Sequence, residues 1–157
     1  MPSPLVEAWA MSNEANRYLL KRIPAACLQD SYAPRTRTVA QQFAHMHGVR
    51  VRWMQYAAPD LVGRLKTFPR GSTPTKAQLT SALKASEKMI ARYLERCEET
   101  SAVKHWKGSP STFLAYMVAH EAHHRGLAMV AMRTNGRKLP KKTVYGQWQW
   151  GKTFNER

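Results

Sequence analysis

The chain is poor in cysteine, in acidic residues and in long apolar runs, and each shortage excludes something. Its two cysteines, Cys27 and Cys97, lie far apart and in no paired motif. That excludes a disulfide framework and a cysteine-rich zinc site, and it fits a reducing compartment. No run of about 18 apolar residues occurs, so no bilayer-spanning helix is expected. The start, Met1-Pro2-Ser3-Pro4, has neither the basic nor the apolar region of a signal peptide. The expectation is a soluble, cytoplasmic protein without a membrane partner.

Acid is scarce as well: 10 Asp and Glu stand against 25 Lys and Arg, a formal net charge of +15. Such a balance favours anionic ligands or polyanions. The excess is spread over Arg35 to Arg37, Arg50 and Arg52, Arg64 to Lys76, and Arg133 to Lys142. No regular basic stripe and no nucleic-acid motif accompanies it. A basic soluble surface or an anion-steering rim is the favoured reading, with nucleic-acid binding second.

Strand patterns and internal repeats are missing too, and what remains is helical. A first amphipathic stretch runs from about Pro4 to Cys27, with Pro24 ending or kinking it. Thr38 followed by Gln41 forms a capping box that opens a second helix, which runs to about Ala58. The connection from Pro59 to Thr75, with Gly63, Pro69, Gly71 and Pro74, is too long for a tight turn. It suggests a crossover over one end of a bundle. Thr75 and Gln78 cap a third helix to roughly Glu98. Ser109-Pro110 opens a fourth, which Asn135-Gly136 closes. The reading is a single all-α domain over 1–157, a four-helix bundle with a long helix 2–helix 3 connection and a basic, aromatic tail at 137–157. Trp53, Trp148 and Trp150 are expected to pack.

The fourth helix carries His120-Glu121-Ala122-His123-His124-Arg125-Gly126. His120 and His124, four residues apart, share one helical face, the spacing at which one helix offers two imidazoles to one metal ion. At about 100° per residue, Phe113, Tyr116, Met117, His120, His124, Leu127 and Ala131 fall in one arc. His123 lies at the margin of that arc, either orienting a ligand or half-exposed. Glu121 projects about 100° from His120, towards a neighbouring helix. A catalytic-type site needs a third ligand, and the chain has six histidines. His45 and His47 are two apart on the second helix, so only one of them can join. His45 shares a stripe with Gln42, Val49 and Trp53, whereas His47 sides with Arg50 and Met54. The periodicity favours His45 inward and His47 outward. His105 belongs to no motif.

Ala44-His45 with Val49 and Trp53, together with His120-Glu121-Ala122-His123-His124-Arg125-Gly126, resembles the two signature segments of the DinB/YfiT-like family of metal-dependent proteins. The likeness extends over nearly the whole chain. One departure is Leu127, where the family often shows Gln. The resemblance implies a four-helix bundle, frequent homodimers, and a divalent metal ion (zinc, nickel or iron) on His45, His120 and His124. Characterised members include thiol-dependent transferases, so a low-molecular-weight thiol is an implied cofactor.

Three neutral imidazoles would leave such an ion its full charge and an open position. It could then acidify a water for hydrolysis or hold a thiol as thiolate for transfer. A thiol cofactor of the glutathione, mycothiol or bacillithiol type is anionic, and Arg50, Arg52 or Arg37 would clamp it beside a small-molecule substrate. His120-Glu121-x-x-His124 also matches the zinc-protease pattern, which keeps a hydrolase reading open. The expected function is therefore a metal-dependent enzyme, thiol transfer ahead of hydrolysis. The alternative is a non-enzymatic protein whose basic surface engages nucleic acid or another anionic partner.

Overall fold

The computed structural model describes residues 3–150. Four long helices dominate it: α1 (Pro4–Arg22), α2 (Val39–Ala57), α4 (Lys76–Thr100) and α5 (Pro110–Thr134), joined by two short ones, α3 (Pro59–Val62) and α6 (Lys141–Gly146). No strand occurs among the described residues, and none of their helices is long and apolar enough to cross a membrane. The starts follow local chemistry. Ser3 caps α1 and Ser109 caps α5, each with proline in the first turn, and Thr38–Gln41 and Thr75–Gln78 form complete capping boxes. Pro24 stops α1 rather than kinking it, and the chain continues into a short 3-10 turn, Ala25–Cys27.

Two apolar layers hold the bundle. One joins Trp9, Met54, Ile90, Leu94 and Phe113; the other joins Leu19, Phe43, Leu83, Ala131 and Met132. Each layer therefore takes the start of some helices and the end of others. The end of α1 meets the starts of α2 and α4 and the end of α5, so α2 and α4 run parallel to each other and antiparallel to α1 and α5. Parallel neighbours need a connection that returns the whole length of a helix. The segment 58–75 does this. It runs along α2 rather than over one end of the bundle, with Leu65 against the first layer and Phe68 against the second. The tail forms α6, and Gly146 presses so closely on Tyr18 of α1 that an added Cβ would stand 2.0 Å from its hydroxyl. Trp148 is 70% and Trp150 40% exposed, so the expectation that these two pack fails. The tail residues 151–157 lie outside the described residues.

Between the two apolar layers lies a buried polar one. Arg50, fully buried, directs Nε and Nη2 onto the Glu121 carboxylate at 2.6 and 2.9 Å. Nη1 donates to the Leu83 carbonyl and Ser86 Oγ, and Nη2 also to Asn13 Oδ1 at 2.5 Å. Asn16 donates to the second carboxylate oxygen at 2.6 Å and accepts from Arg125 at 2.6 Å. All four long helices meet here. Breaking a buried pair from one side strands the other charge, at about 3–5 kcal/mol. We expect Glu121→Ala to lower the unfolding free energy in urea by about that amount. Asp60→Ala, at the exposed pair with Arg96, should leave the midpoint nearly unmoved. Equal losses would show that the buried layer is not the stronger tie.

Candidate metal centre

The antiparallel pairing of α2 with α5 brings residues 42, 45 and 53 level with 124, 120 and 116. His45 Nε2 lies 3.3 Å from His120 Nε2, and His124 Nε2 lies 3.1 Å from the same atom. The three histidines each present one nitrogen within 4.8 Å of the others. Two nitrogens at 2.0–2.1 Å from a tetrahedral ion stand about 3.3 Å apart. The donor set thus fits a small divalent cation without rearrangement of the helices.

Gln42, one turn before His45 on the same stripe, fixes the third imidazole. His124 Nδ1 and Gln42 Oε1 are 2.6 Å apart; an N–H there donates to the amide oxygen and leaves Nε2 with a free lone pair. All three rings are held neutral. Burial, then the positive charge of Arg37, pushes His45 down to about 4, and burial followed by the neighbouring His45 pushes His124 down to about 3. Burial is also the chief cause of the lowered His120 pKa. Tyr116 stacks on His120 with centroids 6.1 Å apart, and Trp53, Trp106 and Phe113 continue an aromatic wall beyond it.

None of the remaining histidines joins the cluster, although the His123 ring stands 5.0 Å from that of His124. His123 and His105 are exposed. His47 faces away from the site as expected, but it does not reach solvent. It is 1% exposed, its Nε2 is 2.9 Å from the Lys66 carbonyl, and Phe68 packs on its ring. The side of α2 that it shares with Arg50 and Met54 is the core side. The His45 stripe lies at the flank of that face, as His120 and Leu127 do on α5. This offset leaves His45 on the wall of a cleft of about 930 Å³, bounded by the α1–α2 loop, the first half of α2 and the crossover, with Leu127 of α5 at its edge. Arg37 and Arg52 line it; Arg50 does not, since it lies wholly in the core, so its expected role as an anion clamp is withdrawn. Glu121 turns to a neighbouring helix as expected, and Arg125 pairs with an amide oxygen of α1 rather than with an acid or a main-chain carbonyl.

The sequence over residues 1–153 matches the model of the DinB family. The chain belongs to the DinB family. A DinB-like protein from Bacillus cereus has a similar fold, with a TM-score of 0.68 at 18% identity, over 87% of this chain and 93% of that one. No functionally curated protein matches the sequence. The family and fold expected from the histidine segments thus hold, including the all-α bundle.

Three imidazoles with folded-state pKa values below the ordinary 6.5 bind fewer protons folded than unfolded. Stability then rises with pH through that window and falls on acidification. Metal-stripped protein should lose stability progressively as pH drops below about 6.5, and His45→Gln should flatten the fall. Urea midpoints between pH 7 and pH 4 test this; identical slopes for both proteins would contradict the assignment.

Proposed function

We propose that this DinB-family protein is a metal-dependent enzyme whose divalent ion sits on His45, His120 and His124, and that it acts as a thiol-dependent transferase rather than a hydrolase. The carrying observation is the convergence of three neutral imidazoles, with His45 and His124 each placing Nε2 3.1–3.3 Å from that of His120 and His45 lining a cleft. Imidazole donors suit zinc, nickel or iron. An ion held there would supply Lewis acidity, favouring deprotonation of a thiol or a water that it contacts.

The choice of transfer over hydrolysis comes from Glu121. In the zinc-protease pattern the glutamate after the first histidine is the general base. Here both of its carboxylate oxygens are engaged by Arg50 and Asn16 in the core, away from the cleft, and no Asp or Glu lines the cleft. A thiol needs no such base, because contact with a divalent ion suffices to hold it as thiolate. Gln42 would orient His124, and Tyr116 with Trp53 would supply an apolar wall beside it.

Elemental analysis of the purified protein should find one divalent metal per chain. His124→Ala should lose it and His47→Ala should keep it, since His47 meets the Lys66 carbonyl and the Phe68 ring and stands outside the three-histidine cluster. Gln42→Leu should weaken metal binding about 10–100-fold. Loaded protein should consume a low-molecular-weight thiol in the presence of an electrophilic acceptor. Hydrolysis of ester or amide substrates without thiol consumption would overturn the transferase reading, and equal metal in His124→Ala and His47→Ala would overturn the ligand set.

A further inference from the structure

We propose that the cleft beside the three histidines is a binding site for a small, multiply charged anion bearing phosphate or carboxylate groups, held by Arg35, Arg37, Arg52 and Arg70. What the anion does there rests on the metal-dependent reading above; its binding does not. The four arginines come from three separate segments, the α1–α2 loop, α2 and the crossover, and all line one cleft. No acidic residue shares that lining. The arginine ion pairs among the described residues are those of Arg17, Arg50, Arg96 and Arg137, so no described carboxylate pairs with the four cleft guanidinium groups. A guanidinium fork matches carboxylate or phosphate oxygens two at a time.

All four arginines are exposed along the cleft. Arg52 lies back along α2 over Gly48, its Nη2 3.5 Å and its guanidinium carbon 3.8 Å from where a Cβ at that glycine would stand. Thr67 of the crossover approaches the same point at 3.8 Å. Arg35 holds a left-handed backbone, φ 62°, which is unfavourable for a residue with a Cβ and marks a loop shaped by something other than its own preference. The α2 N-terminus also borders the cleft, but its first amides are already used. Val39 donates to the Asp30 carbonyl, Ala40 to the Leu28 carbonyl and Gln41 to Thr38 Oγ1. Any anion there must be held by side chains. The Arg37 charge also acts on His45, His120 and His124, which puts the anion site and the histidines in one electrostatic neighbourhood.

Inorganic pyrophosphate and citrate, titrated calorimetrically into full-length protein stripped of metal by chelator, read the site in isolation. We expect saturable binding of at least one probe at one per chain, weakened tenfold or more in Arg37→Gln/Arg52→Gln. Arg133→Gln, which lies outside the cleft, should leave it unchanged. Tighter pyrophosphate identifies phosphate as the recognised group, and tighter citrate identifies carboxylate. Absence of binding to the stripped wild type, or equal binding by the double variant, would overturn the proposal. So would a single-stranded oligonucleotide that displaces the probe and is weakened equally by Arg133→Gln, since the charge would then serve nucleic acid. Intact anion binding in a protein that never retains metal would overturn the metal reading alone. Thermal melts equal to wild type would show that both variants are folded.

Discussion

The Arg50–Glu121 pair is the constraint on which the rest of this bundle depends. Its isolated components would be costly: removing two ions from water carries a penalty of several kcal/mol each. That penalty is offset only because the pairing is complete. All five N–H donors of Arg50 find acceptors, on α1, α4 and α5, and its guanidinium also lies 4.7 Å from the Trp9 ring centre. Such a fully satisfied layer tolerates only one register of the four helices, because sliding α5 by a turn past α2 would strand Glu121 among apolar side chains. Register is what the histidines need. His120 is next in sequence to Glu121, and His45 lies five residues before Arg50. Fixing the ion pair fixes the height at which the three imidazoles meet.

The helices were readable because their ends are chemically marked. Thr38–Gln41, Thr75–Gln78 and Ser109–Pro110 each cap a helix through a local side-chain hydrogen bond, so nothing distant decides them. His45 with His120 and His124 was readable for a related reason: helical periodicity places each on a face, and antiparallel pairing brings the faces together. Arg50 was not. A fully buried arginine contradicts every composition rule, and its partner Glu121 is 71 residues away. Its position was even visible, on the side of α2 shared with His47 and Met54, but that side was taken as the outer one. The basic cleft escaped because its arginines are dispersed in sequence and converge only after the crossover has run back along α2. Trp148 and Trp150 show the converse error, since size and apolarity did not guarantee burial.

The displacement of the histidine stripe from the core face has its own logic. A helix face centred on His45 would have buried the imidazoles completely, and no substrate could reach them. Instead the core face of α2 is centred on Phe43, Met46, Arg50 and Met54, all fully buried, while His45 and Val49 sit at its flank. Rigidity comes from the core and access comes from the flank. Gln42 links the two, being buried itself while fixing His124.

The surroundings of the three imidazoles then impose an electrostatic order of events. Burial and the charge of Arg37 keep the rings neutral, with Arg52 adding to the effect at His45, and neutral is the protonation state that donates a lone pair. The same positive charges raise the energy of any cation that arrives among them. An anion lodged between the arginines would cancel that repulsion, and the cation would in turn favour the anion. Because coupling between two sites is reciprocal in free energy, a cation on the histidines and an anion in the arginine cleft would bind as one composite site. Its positive side chains would make the affinity for the cation depend on the anion, and the affinity for the anion depend on the cation.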